Sequence, residues 1–274
     1  MTPAIFSRTY PLTTAGETFA AVKADGFAAV QFNLSNLGLL PVPDALPDTL
    51  EAAHAEADAA GITLSALSGT WNMTHPDPAH RAAMRPRFLN VLHAARRLGT
   101  PIVTLCTGSR DAGNMWAPHP ENAFPEAWAD LRAELTWALD QAAQLGLALG
   151  IEPEPANIIC DAKAARRILD EMRAPHLGIV LDAANLIPAE DAARQSEILN
   201  HALGLLGGNL LLAHAKDHDA TGRVVAPGDG VIDLSSFVAG LKSAGFDGPL
   251  IGHGFDPADA PRAARALRAV CDLT

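Results

Sequence analysis

The sequence is poor in cysteine, in aromatic residues and in positive charge. Its three cysteines, Cys106, Cys160 and Cys271, are widely separated. They form neither a disulfide framework nor the paired spacing of a zinc or redox motif, so they suit a reducing compartment. Against 31 Asp and Glu residues stand 20 Lys and Arg residues, and the net charge is −11. Such a charge repels nucleic acids and anionic membranes, so neither is an expected partner.

Long hydrophobic runs and targeting signals are also lacking. The first eight residues show no basic region, apolar run or small-residue cleavage site of the kind found in signal peptides. The most apolar later stretch, 203–213, contains three glycines and is shorter than the roughly 20 residues that a membrane helix needs. We therefore expect a cytoplasmic protein with no membrane partner.

The chain is long enough and apolar enough to build a large core. It has 274 residues, of which 49% are hydrophobic and 19% charged. This composition lacks the signature of disorder. No Ser/Gly-rich linker, charge block or shift in composition divides the sequence, which predicts a single domain over residues 1–274.

Short apolar runs alternate with longer helical segments, and this pattern occurs eight times along the sequence. The predicted strands are 4–7, 28–33, 63–67, 102–106, 148–152, 178–182, 210–214 and 250–253. The predicted helices lie near 16–25, 45–60, 79–98, 122–145, 161–172, 190–206, 234–244 and 258–271. Asp161 and Asp233 are predicted N-caps, and Gly61, Gly99 and Gly146 are predicted left-handed C-caps. Eight such units predict an α/β fold, a (β/α)8 TIM barrel, with a doubly wound sheet as the alternative.

In such a barrel the catalytic groups come from the carboxyl ends of the strands. The last four predicted strands end in Glu152, Asp182, His214 and His253. Two carboxylates and two imidazoles converging on one barrel mouth are enough ligands for a divalent metal with open positions for substrate oxygens. Mixed oxygen and nitrogen ligands suit Mn, Co, Zn or Fe, and Mg remains a further option; we take Mn as the favoured ion.

Several segments resemble one known family. They are Ser-Gly-Thr-Trp-Asn-Met-Thr-His-Pro-Asp (68–77), Leu-Cys-Thr-Gly-Ser-Arg (105–110), Ile-Glu-Pro-Glu-Pro-Ala-Asn (151–157), Val-Leu-Asp-Ala-Ala-Asn (180–185), His-Ala-Lys-Asp (214–217) and Pro-Gly-Asp-Gly-Val-Ile-Asp (227–233). In this order they are similar to the sugar phosphate isomerase/epimerase family of xylose isomerase-like TIM barrels. The resemblance implies a metal-dependent enzyme that acts on a sugar, a sugar phosphate or a polyol.

The resemblance also implies a ligand set. In the ketose 3-epimerase branch a Glu, an Asp, a His and a second Glu hold the metal, and the first three correspond to Glu152, Asp182 and His214. The fourth position is His253 here, and Asn185 stands where those epimerases place a histidine that contacts substrate. The glutamate expected shortly after Glu152 and the arginine expected soon after His214 have no obvious counterpart. These departures point away from ketose 3-epimerisation while keeping the fold and the metal.

A metal bound by these residues would act as a Lewis acid on a carbonyl and stabilise the enediolate formed when a neighbouring C–H proton leaves. Glu152 is the preferred base because it lies within reach of the activated substrate. His253 is either a fourth ligand or an acid/base on the opposite face, and in the second role it predicts a lower rate on mild acidification. Lys216 is a candidate donor to a substrate oxyanion.

The remaining candidates for substrate contact lie in the loops that follow the strands: His75, Arg110, Asn185, Trp71, Trp116 and Asp217. Arg110 could hold a carboxylate or phosphate, because a guanidinium matches planar anions. His75 could bond a sugar hydroxyl, and either tryptophan could supply an apolar face for a sugar ring.

Three other functions compete with an isomerase or epimerase. The same site could dehydrate or cleave a keto-sugar or keto-polyol, with His253 as the acid. An endonuclease-IV-like hydrolase shares the barrel, but its multi-zinc cluster needs more ligands than this sequence offers. A non-catalytic sugar-binding barrel is the non-enzyme alternative. A homo-oligomer is compatible with each of them.

Overall fold

The computed structural model describes residues 1–272. Its eight parallel strands form a closed barrel in the order β1-β10-β7-β6-β5-β4-β3-β2. The barrel strands are β1 (Thr2–Phe6), β2 (Ala29–Phe32), β3 (Thr63–Ser68), β4 (Ile102–Leu105), β5 (Ala148–Ile151), β6 (Leu177–Asp182), β7 (Leu210–Ala215) and β10 (Pro249–Gly252). Each strand is therefore paired on both sides, which leaves no open edge and confirms the predicted TIM barrel over the doubly wound sheet.

Helices connect successive strands and cover the outside of the barrel. They are α1 (Ala15–Ala24), α2 (Thr49–Ala60), α3 (Pro78–Arg97), α4 (Pro125–Gln144), α5 (Ala162–Met172), α6 (Ala183–Leu186), α7 (Gln195–Leu206), α8 (Leu234–Ser243) and α9 (Ala260–Asp272). Within residues 1–272, none of them combines the length and apolar character needed to cross a membrane.

The apolar core has two layers, as expected for strands covered on both faces. The larger layer packs between the strands and the helices and includes Phe19, Phe32 and Phe237. The smaller layer comes from strand residues that face the barrel axis: Ala4, Ala29, Ala66, Val180, Leu212 and Ile251. Since side chains alternate along a strand, the residue two positions after each of these points to the same side. This alternation places polar side chains directly above the inner layer.

Local chemistry sets the helix ends. The Asp161 carboxylate accepts from the backbone N–H of Ala164 at 2.7 Å, and Asp233 accepts from Ser236 at 3.0 Å. Both predicted N-caps are therefore confirmed. The three predicted C-cap glycines, Gly61, Gly99 and Gly146, all have φ near +70°. A left-handed residue of this kind ends a helix without the steric penalty that a Cβ atom brings.

The structure corrects some predicted boundaries. Glu152 and His253 directly follow their strands, whereas Ala215 extends β7 one residue beyond His214. Helix α4 begins at Pro125 rather than at 122, because proline is preorganised for the first helical position. Helix α7 begins at Gln195, after a 3-10 segment that covers 189–194. Neither the short helix α6 nor the hairpin of β8 (Asp217–His218) and β9 (Val224–Val225) was predicted.

Candidate metal centre

Four side chains from separate strand ends converge at the barrel mouth. Glu152, Asp182, His214 and His253 each offer one ligand atom, and these atoms all lie within 4.8 Å of one another. Asp182, His214 and His253 each lie two positions after an inner-layer residue of β6, β7 or β10, so strand alternation aims them at the barrel axis. Glu152 lies two positions after Gly150, where a Cβ atom would meet Val180 of the same inner layer. The sequence-predicted ligand set is thus assembled in one place.

His214 is held in a defined orientation. Its Nε2 lies 2.8 Å from Oε1 of Gln31 on β2, and Nε2 of Gln31 in turn donates to Oγ1 of Thr104 at 3.2 Å. Since an amide oxygen can only accept, Nε2 of His214 carries the hydrogen and donates the hydrogen bond to Gln31. That tautomer leaves a lone pair on Nδ1, which lies 3.2 Å from Oε1 of Glu152.

The two carboxylate oxygens of Asp182 have different roles. Oδ1 accepts from the backbone N–H of Ala184 at 2.9 Å and so caps helix α6. Oδ2 faces the centre, 3.1 Å from Nε2 of His253 and 4.0 Å from Nζ of Lys216. The capping bond fixes the carboxylate and leaves Oδ2 for a ligand.

Both carboxylates of the centre are ionised despite their burial. Burial alone favours the protonated form of Asp182, but the charge of Lys216 and the hydrogen bond with His253 outweigh it and lower its pKa to about 2. Burial likewise opposes ionisation of Glu152, and the nearby charge of His214 in its protonated form outweighs burial and lowers the pKa of Glu152. Two anionic oxygen ligands are therefore present at neutral pH.

The two imidazoles titrate in opposite directions. Burial lowers the pKa of His253, and the hydrogen bond with Asp182 does not offset it. Burial also opposes the charged form of His214, but the negative charge of Glu152 outweighs it and raises the pKa. His253 is thus neutral at neutral pH, whereas His214 binds a proton more tightly than a free histidine does.

Lys216 and Asn185 flank the centre. Nζ of Lys216 donates to Oδ1 of Asn185 at 2.5 Å, and Nδ2 of Asn185 donates to Oε1 of Glu152 at 3.0 Å. Burial disfavours the charged amine, but the carboxylates of Asp182, Glu152 and Glu154 raise the pKa of Lys216. The amine therefore stays cationic beside two carboxylates that it only partly neutralises.

The geometry and donor chemistry fit a divalent cation. Nδ1 of His214 is buried and makes no hydrogen bond, although it faces a carboxylate. A buried nitrogen without a partner costs free energy, and a cation bound by Nδ1 would remove that cost. Ligand bonds of about 2.0–2.2 Å put ligand atoms at most about 4.4 Å apart, so atoms that lie within 4.8 Å of one another need to approach by only a few tenths of an ångström to share one cation. Glu152, Asp182, His214 and His253 could therefore hold a divalent cation, and the mixed ligands leave its identity open.

Arg110 lies in a separate cluster of charges. Its Nη2 lies 2.7 Å from Oδ2 of Asp130 on α4, and its Nη1 donates to the carbonyl oxygen of Thr74 at 3.2 Å. The side chain is 7% exposed. The guanidinium that the sequence suggested for an anionic substrate is thus paired with an internal carboxylate.

The other predicted contact residues in the β3 and β4 loops pack against neighbouring side chains. His75 stacks on His80 with ring centroids 3.9 Å apart, and its Nδ1 accepts from the backbone N–H of Asp77. Trp71 is buried against Phe88 of α3, with ring centroids 5.9 Å apart. Trp116 is half exposed on the surface. None of these contacts involves the four converging ligands.

Asp217 organises a loop. Its carboxylate accepts backbone N–H bonds from His218, Gly228, Gly230 and Ile232 at 2.8–3.1 Å. A Cβ atom on Gly230 would lie 2.1 Å from Oδ1 of Asp217, so only glycine fits there. The Pro-Gly-Asp-Gly segment therefore wraps around a buried carboxylate, and both oxygens of Asp217 are occupied.

Sequence reasoning missed three residues at the centre. Gln31 orients His214. Phe6 packs edge-on against His253, with ring centroids 6.3 Å apart. Sγ of Cys106 lies 3.9 Å from Oε2 of Glu152. The signal for Gln31 was available, because a glutamine stands inside the apolar strand Ala-Val-Gln-Phe at an inward-facing position. Phe6 and Cys106 gave no such signal, since both are typical core residues.

Several solved structures share this fold, and sugar epimerases are among them. A 3-keto-D-glucoside 4-epimerase from E. coli superposes with a TM-score of 0.76 at 19% identity, over 99% of this chain and 100% of that one. A D-tagatose 3-epimerase-like protein gives a TM-score of 0.79 at 16% identity, over 100% and 98% of the two chains. The IOLI protein, solved with a zinc atom bound, gives 0.75 at 16% identity, over 99% and 98%.

At the level of sequence, no curated protein matches this chain. The family described as xylose isomerase-like TIM barrel matches residues 19–271, which includes all four converging ligands. The match covers most of the sequence and agrees with the closed eight-stranded barrel. The chain therefore belongs to the xylose isomerase-like TIM barrel family.

Proposed function

We propose that the protein is a divalent-metal-dependent isomerase or epimerase of a sugar, sugar phosphate or polyol. The observation that carries this proposal is the convergence of Glu152, Asp182, His214 and His253 around one point, with the Nδ1 atom of His214 buried and unbonded. Family membership and the sugar epimerases among the structural neighbours support it. The favoured ion is Mn, and the sugar itself is set by loop shape.

When bound, a divalent cation draws electrons from a carbonyl oxygen and makes the adjacent C–H more acidic. Glu152 then accepts the proton, because its carboxylate is ionised and borders the centre. Its Oε1 accepts a hydrogen bond from Asn185, whereas Oε2 has only the weak donor Cys106 within 3.9 Å. Oε2 is therefore the more basic oxygen and the atom that takes up the proton.

Lys216 stabilises the charge that develops on the substrate. Its amine is cationic, sits 4.0 Å from Asp182 and is 21% exposed, so it reaches both the centre and incoming ligands. A preorganised cation beside a developing oxyanion lowers the barrier because it needs no reorganisation during the reaction. Asn185 holds Lys216 and Glu152 together through one amide.

The protonation of His253 distinguishes between isomerisation and epimerisation. Epimerisation at one carbon needs a proton donor on the face opposite the base, whereas isomerisation can return the proton from Glu152 to the neighbouring carbon. His253 is the candidate for the opposite face, but its lowered pKa leaves little of the protonated imidazole to donate a proton at neutral pH. His253 thus acts as a metal ligand in this proposal, which favours isomerisation over two-base epimerisation.

A deuterium-exchange experiment tests the proposal. The Mn-loaded protein is incubated in heavy water with a panel of keto-sugars, and products are followed by mass spectrometry. Deuterium gain without mass loss supports isomerisation or epimerisation, while loss of water supports the alternative dehydratase. Glu152→Gln is expected to lower the exchange rate by about 10²- to 10⁴-fold, because it removes the base and keeps the shape.

A matched variant controls for the loss of one negative charge. Glu126 is an exposed carboxylate in the first turn of α4 and is not one of the four converging ligands, so Glu126→Gln makes the same substitution outside the centre and should exchange at the wild-type rate. Exchange that survives removal of metal with a chelator, or that is equal in Glu152→Gln and wild type, contradicts the proposal.

A further inference from the structure

A small cavity opens beside the metal centre, between the ends of β1 and β10. It has a volume of about 240 Å³ and is lined by Phe6, Arg8, Thr9, His253, Gly254 and Phe255. His253 forms its wall toward the centre, and Phe6 packs edge-on against that imidazole. Ligand pockets usually measure about 300–1,000 Å³, so this cavity suits the end of a substrate rather than a whole one.

The charge of this cavity is opposite to that of the chain. The protein has 31 acidic against 20 basic residues, yet no acidic residue lines the cavity. Its one strong cation is Arg8, which is exposed and lies in the 3-10 turn Ser7–Thr9 that follows β1. Across residues 1–272, the guanidinium group of Arg8 makes neither a hydrogen bond nor an ion pair with another side chain or with the backbone.

The other cations near the mouth already have partners. Arg110, which the sequence suggested for anion binding, pairs with Asp130. Lys216 donates to Asn185 and neighbours Asp182. Arg8 therefore differs from both: its guanidinium is unpaired, and the residue lines a cavity that shares His253 with the candidate metal centre. A planar guanidinium binds carboxylate and phosphate oxygens through two parallel hydrogen bonds.

We infer that the substrate carries an anionic group, a carboxylate or a phosphate, at the end remote from the reacting carbon, and that Arg8 binds it in this cavity. Phe6 and Phe255 pack against the carbon chain between the two ends. This inference rests on the proposed function, because it uses the metal centre to fix the reacting end of the substrate.

Binding of three unreactive polyols tests the inference. D-glucitol is neutral, D-gluconate carries a carboxylate and D-glucitol 6-phosphate carries a phosphate, so the panel varies the terminal group on one six-carbon chain. Affinities for the Mn-loaded protein are measured by calorimetry. At least one anionic polyol is expected to bind ten times or more tightly than D-glucitol, and the stronger of the two identifies the group.

Two variants locate the effect. Arg8→Gln is expected to abolish the advantage of the anionic polyol and leave the affinity for D-glucitol unchanged. Arg96→Gln removes the same charge from the last turn of α3, at the other end of the barrel, and should keep the advantage. An advantage that persists in Arg8→Gln, or is lost equally in Arg96→Gln, overturns the role of Arg8.

The outcomes also separate this inference from the proposed function. If D-glucitol binds in a metal-dependent manner but neither anionic polyol binds more tightly, the anion site is refuted and the proposed function stands. If the protein retains no divalent ion, the proposed function fails, and the inference fails with it.

Discussion

The barrel contains two clusters of charged side chains that differ in how completely they are paired. The outer network joins α3 and the β4 loop to α4 and consists of Arg81, Arg85, Arg110, Asp130 and Glu134. Each of its carboxylates faces two guanidinium groups. Every negative charge of this network is therefore balanced by guanidinium groups of the chain itself.

The metal centre lacks that balance. Two ionised carboxylates lie within 4.8 Å of each other, Lys216 approaches only one of them closely, and Nδ1 of His214 has no hydrogen-bond partner. Like charges at this distance repel, and an unpartnered buried nitrogen costs free energy. Such an arrangement is stabilised by a further positive charge. A charged cluster that lacks partners within the chain therefore indicates a ligand site, whereas a cluster whose carboxylates are all paired indicates a structural role.

The largest expected effect comes from unbalancing the outer network. Glu134 is 5% exposed and accepts two hydrogen bonds from Arg85 at 2.9 and 3.1 Å. Glu134→Ala leaves Arg81 and Arg85 without this partner, so we expect the free energy of unfolding to fall by about 3 kcal/mol. This value is the lower end of the roughly 3–5 kcal/mol that breaking a buried ion pair costs, because Arg85 is partly exposed. Urea denaturation measures it.

A substitution in the candidate metal centre should have a much smaller effect on the free energy of unfolding. Asp182→Asn keeps the oxygen that caps α6 but removes one of two neighbouring negative charges. We expect the metal-free variant to lose much less stability than Glu134→Ala does, while metal binding is lost. Equal destabilisation by the two variants would remove the distinction between the clusters.

An intermediate effect is expected from Gln31. Gln31→Leu removes the acceptor that orients His214, and loss of such an orienting group costs about 10- to 100-fold in metal affinity. Competition with a chelator measures this loss. Thr104→Val removes only the bond from Gln31 to Thr104 and should have a smaller effect. Unchanged affinity in Gln31→Leu would mean that another contact orients the imidazole.

The smallest expected effect is a pH dependence of metal binding. Burial opposes the charged form of His214, but the charge of Glu152 raises its pKa above the usual value. The bound proton therefore stabilises the metal-free fold at low pH, and this stabilisation is lost as pH rises through the raised pKa. A metal ion must displace that proton, so the affinity for the metal should fall by about tenfold for each pH unit below the pKa of His214.

Calorimetry in two buffers with different ionisation enthalpies measures the displaced proton. We expect release of up to about one proton per metal ion near neutral pH, with His214 as its source. His253 contributes little there, because its pKa is lowered. A binding enthalpy independent of the buffer would show that His214 is already neutral in the metal-free protein.

Much of the fold and of the centre follows from local sequence. Alternating apolar and helical segments predicted the eight barrel strands, and the polar residues at their ends predicted the four side chains that converge. Contacts between distant segments did not follow from local sequence. Asp217 looked like a site residue beside His214, but four backbone amides from 218–232 enclose it. Nothing near Asp217 in the sequence reveals that loop.

The sequence by itself determined the barrel and the four side chains that meet at its mouth, because strand alternation and closure leave those positions no other direction to face. Only the tertiary structure decided which charged residues are free to bind. Arg110 and Arg8 are both arginines that follow a strand, yet Arg110 meets Asp130 of α4 whereas Arg8 faces an open cavity. Charge pairing depends on what distant segments bring within about 4 Å, and local sequence carries no record of that distance.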